Sequence, residues 1–179
     1  MPQIKIRPAV STDVNTLMAM DHTSTVDYVW QMDIQYEEGQ YSVAFREIRL
    51  PRSVVIPYPR PVSLLSESWN RRHGVLIAEE AGTTVGYVRM NDNQMLHTAL
   101  ITDLVVTPRC RRQGIATTLV LAAQSWAANR KNKHVMLETI TKNTPAIRLA
   151  LKLGFEFSGY NAMYYESKDV ALFFGRSLG

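Results

Sequence analysis

The sequence predicts a mixed α/β fold of the α+β kind, with one mostly antiparallel central sheet flanked by helices. Three observations predict it. Apolar alternation marks strands near both ends of the chain and a run of them through its middle. Helical spacing of apolar residues follows several of those strands. The elements come in the order β, α, an irregular stretch, βββ, α, β, α, ββ. At 179 residues, 46% of them hydrophobic and 20% charged, the chain suits one domain, residues 1–179, with an insertion at about 22–73.

Each element has its own signal. In QIKIRPA, Ile4 and Ile6 alternate with polar neighbours, as in a strand. In STDVNTLMAMD, Val14, Leu17 and Met18 share a helical face, with Ser11 as the expected cap. From His22 to His73 the pattern loosens, with one strand expected at about Tyr41 to Leu50; Pro51, Pro57, Pro59 and Pro61 forbid a continuous helix through its second half. GVLIAEEAGTTVGYVRMN reads as two strands joined at Glu80 to Thr83, with Gly82 in the turn. HTALITDLVVTP is apolar on both faces, hence a buried central strand. Ile115, Leu119, Ala122 and Trp126 fall on one helical face and predict a helix to about Asn129. HVMLETI is the next strand. NTPAIRLALKLG opens on a Thr144 cap, carries Pro145 in its first turn and stops at Gly154. FEFSG, AMYYES and VALFFGRSL add two or three strand-like pieces.

Composition narrows the function classes. A net charge of +4 leans toward anionic ligands but falls well short of a nucleic-acid-binding composition. The single cysteine, Cys110, excludes an internal disulfide and fits a reducing compartment. The start MPQIKIRPAV lacks an apolar core of signal-peptide length, and no apolar run reaches the roughly 18 residues of a membrane span, so a cytoplasmic protein without a membrane partner is expected. His22, His73, His97 and His134 show no helical pairing, so no metal site is expected.

The stretch TPRCRRQGIATTLV places a cationic glycine turn between a strand and a helix. A helix N-terminus presents unpaired N–H groups and a positive dipole end, which suits phosphate. Neither G-x-x-x-x-G-K-[ST] nor G-x-G-x-x-G occurs here. What remains is R-x-x-G-x-A at Arg111, Gly114 and Ala116; taken alone, the cluster also reads as a solvated charge run or, less readily, as a nucleic-acid patch.

With its context, the turn resembles the [QR]-x-x-G-x-[GA] signature of the GNAT superfamily of acetyl-CoA-dependent N-acyltransferases. A second block, Leu137 to Phe155, is similar to a later family block, matching at Asn143, Ala146, Leu149, Lys152, Gly154 and Phe155. The resemblance covers Ile4 to Ile6 and Val75 to Tyr165 and leaves the insertion outside it. It implies the GNAT fold and acetyl-CoA as cofactor. It implies that Arg111 and the N–H groups of Arg112, Gln113, Gly114, Ile115, Ala116 and Thr117 hold the pyrophosphate. It also implies that the strand edge Leu104, Val105 and Val106 pairs with the pantetheine arm, that Val106 N–H faces the thioester carbonyl, and that Asn143 touches the same cofactor.

Acetyl transfer to an amine with a pKa of about 10.4 needs a group to take a proton. Glu138 is the favoured base: it is the one carboxylate on a strand face shared with Met136 and Ile140, and it stands five residues before Asn143, as the base does in some relatives. Burial of a carboxyl there raises its basicity. The same residue also reads as half of a strand ion pair with a nearby arginine. Asp103, on the face of Ile101 and Val105, is the second candidate; its alternative is a hydrogen-bond acceptor at a bulge. Relatives carry a thiolate-protonating tyrosine where this chain has Ala150, so Tyr164, with Tyr160 and Tyr165 beside it, or solvent must serve. A Cys110 nucleophile has no histidine near it in sequence and is set aside.

Within the insertion, Tyr28, Trp30, Tyr36 and Tyr41 interleave with Asp27, Asp33, Glu37 and Glu38, a pattern suited either to a cationic amine or to packing the insertion onto the sheet. The LET strand and terminal ALFF also resemble streptothricin acetyltransferases. The expected function is acetyl-CoA-dependent N-acetylation of a primary amine on a small cationic molecule, possibilities including an antibiotic such as streptothricin. The alternatives are a peptide or protein N-terminal or lysine acetyltransferase and a non-catalytic acyl-CoA-binding module. A homodimer is left open.

Overall fold

Alternation of apolar side chains builds most of the protein as sheet, because successive residues of a strand face opposite sides. The computed structural model describes residues 3–67 and 73–179, with backbone alone for His73 and residues 93–95. Residues 68–72, at the end of the expected insertion, lie outside the described residues. The main sheet contains β1 (Ile4–Pro8), β4 (His73–Glu80), β5 (Thr83–Met95), β6 (Thr98–Val106), β7 (His134–Ile140), β8 (Glu156–Asn161) and β9 (Ala171–Ser177). Its order is β1-β4-β5-β6-β7-β9-β8. Only the β6–β7 pair is parallel; the other neighbours run antiparallel. β4 and β5 meet at Ala81 and Gly82, both at positive φ (48° and 78°), the backbone of a tight hairpin turn.

β6 and β7 pair only from Thr98–His134 to Ile101–Leu137. Beyond that point they part, so the last five residues of β6 show no β7 partner. On one face, α3 (Ile115–Asn129) and α4 (Thr144–Lys152) bury Leu119, Val120, Ile147 and Ala150 against Val88, Ile101 and Leu137. On the other, α1 (Val14–Met18) and α2 (Leu64–Glu67) set Leu17 and Leu65 against Ile77, Tyr87 and Val105.

The insertion is more regular than its sequence predicts. β2 (Ser24–Glu37) and β3 (Gln40–Ile56) form a long two-stranded ribbon closed at Gly39, whose φ is 79°. Between the pairs Val26–Val54 and Tyr28–Arg49 the register slips, and Pro51 sits in that slip, where its missing N–H breaks no ladder bond. Trp30 fastens the ribbon to the sheet: its N–H donates to Thr141 O at 2.8 Å, and its ring lies 6.0 Å from that of Phe174.

Two caps also differ from expectation. Asp13, not Ser11, accepts from the Val10 N–H at 2.8 Å, since its carboxylate is already held in place by Arg7. Asn143, not Thr144, caps α4, accepting from Ala146 N–H at 3.3 Å, while the Thr144 hydroxyl donates to Tyr28 O on the ribbon. AMYYES is no strand: the Asn161 carboxamide oxygen accepts from Met163 N–H at 2.8 Å and turns the chain before β9.

Candidate active site

A bulge in β6 makes the site. Arg89 pairs with Asp103 and Met90 with Ile101, so Thr102 is the extra residue. One extra residue reverses the sides on which its neighbours point. Ile101 therefore packs under the α3 layer, while Asp103 follows Val105 to the opposite face, correcting the expectation that all three share one. On β7, Glu138 reaches the same space. Asp103 and Glu138 are only 4% and 6% exposed.

Among the described residues, five side chains surround this acidic pair. Arg60, from the Pro59-Arg60-Pro61 segment after β3, donates through Nη2 to Glu138 Oε1 and through Nη1 to Thr102 O at 3.1 Å. Its Nη1 is 3.7 Å from Asp103 Oδ2, and Arg89 Nη1 is 3.6 Å from the same oxygen. Tyr164 donates to Glu138 Oε2 at 2.8 Å, and Tyr165 donates to Oε1. The Thr102 hydroxyl donates to Asp103 Oδ2 at 2.7 Å. The two guanidiniums, Arg60 and Arg89, offset part of the cost of burying negative charge in this cluster.

Burial, reinforced by the negative charge of Glu138, pushes the Asp103 carboxyl up to about 8. Burial and the same charge raise Tyr164 and Tyr165 well above the ordinary phenol range. Arg89 is held below its ordinary value by burial, then by the like charge of Arg60. Behind Arg89 on β5, the Tyr87 hydroxyl lies 2.9 Å from His22 Nε2, and His22 Nδ1 lies 2.7 Å from Met20 O. A carbonyl can only accept, so Nδ1 carries the proton; burial lowers the imidazole's pKa and favours its neutral form, in which Nε2 accepts from the Tyr87 hydroxyl.

The structure brings Glu138, Asp103 and Tyr164 together. It adds Arg60, which the sequence reading missed; an arginine set between prolines in a segment that must cross the sheet was the available signal. Tyr160 instead packs on Phe45, with ring centroids 5.7 Å apart. Ala150 is fully buried in the core. Cys110 is buried beside Ile115 with its sulfur 3.8 Å from Glu80. The ribbon's aromatic and acidic residues are dispersed along it: Trp30 packs on Phe45 and Phe174, Asp33 pairs with Arg46 at 3.0 Å, and Tyr36 and Tyr41 are exposed near the ribbon tip. Among the described residues, no group of three His, Cys, Asp or Glu side chains could hold a metal, and no helix is long and apolar enough to cross a membrane.

The gap between β6 and β7 and the turn beyond it fit a phosphate-bearing thioester. Thr107 N–H donates to Val85 O at 2.8 Å, so strand alternation turns the N–H of Val106 away from β5, toward the gap. Arg112 and Gly114 have φ of 64° and 86°, which makes a concave run of N–H groups. The first α3 bond runs from Thr118 N–H to Gly114 O, leaving Ile115, Ala116 and Thr117 N–H without intrahelical acceptors. A Cβ at Gly114 would meet no protein atom within 4 Å, so the left-handed φ, not crowding, selects glycine there. Arg111 turns inward instead: Nε donates to Val106 O and Nη2 to Thr23 O, each at 2.8 Å, so its side chain fastens the turn to β6 and to the start of the ribbon. Arg112 and Gln113 are exposed on the turn.

The sequence profile of the acetyltransferase (GNAT) family matches residues 41–155. A streptothricin acetyltransferase of Escherichia coli is 33% identical over 98 residues, or 54% of this chain and 53% of that protein, so the match spans about half the length of that relative. A second, from Streptomyces lavendulae, is 24% identical over 90% of this chain and 86% of that protein. Among solved structures, nourseothricin acetyltransferase superposes with a TM-score of 0.83 at 20% identity, over 98% of this chain and 99% of that one. A Bacillus anthracis structure, provisionally assigned as a streptothricin acetyltransferase and solved with acetyl coenzyme A, superposes with a TM-score of 0.77 at 20% identity, covering 98% and 97% of the two chains.

Proposed function

The chain belongs to the acetyltransferase (GNAT) family, and from that membership we propose that it is an N-acetyltransferase moving an acetyl group from acetyl-CoA to a primary amine of a small cationic acceptor, with a streptothricin-like antibiotic as the favoured one. In this reading residues 1–179 act as one unit. The observation that carries it is the parting of β6 and β7, which lays an unpaired strand edge beside a buried acidic pair.

Acetyl-CoA supplies an activated acyl thioester. The N–H groups from Arg112 to Thr117 take its pyrophosphate, Leu104 to Val106 take the pantetheine arm along the β6 edge, Asn143 contacts it from the head of α4, and Val106 N–H faces the carbonyl oxygen that gains charge. Asp103 and Glu138 take the proton that the acceptor must lose before its nitrogen can attack. Tyr164, half-buried and raised above the ordinary phenol range, stays protonated. That makes it a hydrogen-bond donor to the departing sulfur rather than a strong acid, with solvent completing the protonation.

The two relatives named for streptothricin support the acceptor class. The test is free-thiol release from acetyl-CoA with streptothricin, a polyamine and an N-terminal peptide as acceptors. Fastest release with streptothricin is expected. Preference for the peptide replaces the small-molecule reading, and firm acetyl-CoA binding without release to any acceptor replaces catalysis with a binding role.

A further inference from the structure

Two carboxyls sharing one buried space cannot both ionise freely, so their surroundings decide which carries the charge. Here the donors are divided unevenly. Arg60, Tyr164 and Tyr165 all donate to Glu138. Asp103 receives the Thr102 hydroxyl, while Arg60 and Arg89 stand 3.7 and 3.6 Å from it, beyond close contact. Arg60 is also held by Thr102 O and by the face of the Tyr165 ring, 5.4 Å from its centroid. Its side chain is 14% exposed. Pro59 and Pro61 restrict the backbone on either side, which lowers the entropy lost in delivering the guanidinium to one place.

We propose that Arg60 is a positioning residue that keeps Glu138 as the standing anion of the pair and so reserves Asp103 as the group that takes the acceptor's proton. This rests on the N-acetyltransferase reading above and reverses the order of bases expected from sequence. The acceptor N–H bond breaks, an O–H bond forms on the Asp103 carboxylate, and Asp103 passes that proton to solvent before the next turnover. A carboxyl raised to about 8 suits that exchange with an alkyl ammonium. Among the described residues, the titratable and charged groups facing the pair are Arg60 from the segment after β3, Arg89 and Tyr87 from β5 with His22 behind Tyr87, and Tyr164 and Tyr165 from the β8–β9 connection.

Carboxyl carbon NMR of the wild type, assigned with Asp103→Asn and Glu138→Gln, tests the division without turnover. At neutral pH Asp103 is expected to show the acid signal and Glu138 the carboxylate signal; the reverse overturns the proposal. Arg60→Met is expected to move the titration of the pair up by about one pH unit, lowering kcat/KM at neutral pH about tenfold with a defect that shrinks as pH rises. Arg60→Lys, which keeps the charge, is expected to restore most of both. A pH-independent loss in Arg60→Met, with the carboxyl signals unmoved, assigns Arg60 to holding the loop and overturns the proposal. If Arg60→Met melts too low to titrate, the wild-type signals and Arg60→Lys decide. Absence of transfer to every amine defeats the enzymatic reading alone, because the NMR assignment stands or falls without it.

Discussion

The Tyr164 hydroxyl donates to Glu138 Oε2 at 2.8 Å across 26 positions of sequence. Its neighbour Tyr165 donates to the other oxygen of the same carboxylate. The two phenols differ in access: Tyr164 is half-buried, whereas Tyr165 is 9% exposed. Only Tyr164 is therefore placed to turn toward a substrate.

Tyr164→Phe is expected to lower kcat about tenfold, short of the roughly 10²- to 10⁴-fold of a full general acid, because solvent can also protonate a thiolate. Tyr165→Phe removes a buried donor from a charged acceptor, which costs about 1–3 kcal/mol of stability. Steady-state rates and melting curves on both variants check the contrast. A larger rate loss from Tyr165→Phe at an unchanged melting temperature reverses the assignment.

The raised Asp103 carboxyl sets the direction of two pH effects. Its folded value of about 8 lies above the ordinary 3.8, so the unfolded chain ionises first, and its contribution to stability is lost as pH rises through that window. Asp103→Asn lacks this dependence, so its melting temperature relative to wild type is expected to improve steadily between about pH 5 and 8. Wild-type kcat/KM is expected to rise through about pH 8 as Asp103 deprotonates. The variant loses that limb and about 10²-fold or more in rate. A relative melting temperature that falls over the same window contradicts the burial argument.

Much of this site was legible because its signals are local. The R-x-x-G-x-A turn and the helix after it occupy adjacent positions, and the helix runs from Ile115 to Asn129, ending where its apolar period predicts. Glu138 stood out as a carboxylate on an apolar face. Its alternative reading, an ion pair with an arginine, is also what the structure shows, since Arg60 binds it across 78 positions. No local period encodes that contact. The bulge was read only as the alternative for Asp103, a hydrogen-bond acceptor at a bulge, which is what the structure shows; neither glycine nor proline marks its place at Thr102. The ribbon was misread for a different reason. Trp30, Met32, Ile34 and Tyr36 alternate with Gln31, Asp33 and Gln35 as in a strand, but the aromatic and acidic composition of the segment drew attention to binding instead.

Acetyl-CoA is expected to raise the melting temperature, since a ligand bound only by the native state adds about 2.7 kcal/mol at a hundredfold excess over Kd. Gly114→Asp is expected to abolish that shift. It forces a side chain into a φ of 86° and sets a negative charge in the turn proposed to hold the pyrophosphate. Calorimetry with and without the ligand measures both, and an undiminished shift in Gly114→Asp moves the phosphate elsewhere.

Ala150→Tyr introduces the phenol that the family resemblance implies at this position, yet it is expected to damage the fold without raising turnover. Ala150 is fully buried, in a cluster with Leu137, Ile147 and Phe155. A phenol ring has no space there, and overpacking costs about 1–3 kcal/mol, with a similar penalty for any hydroxyl left without a partner. The geometry also opposes a functional gain. Leu137 faces the α3–α4 layer, and the next residue of β7, Glu138, faces the other side with Ile140 and Tyr165. A tyrosine at 150 thus enters the layer that the acidic pair does not face. Melting curves and kcat measured together on Ala150→Tyr decide the matter. A lower melting temperature with kcat no higher than wild type is the expected result; a higher kcat at an unchanged melting temperature shows that α4 reaches the departing thiolate and that Tyr164 is not its donor.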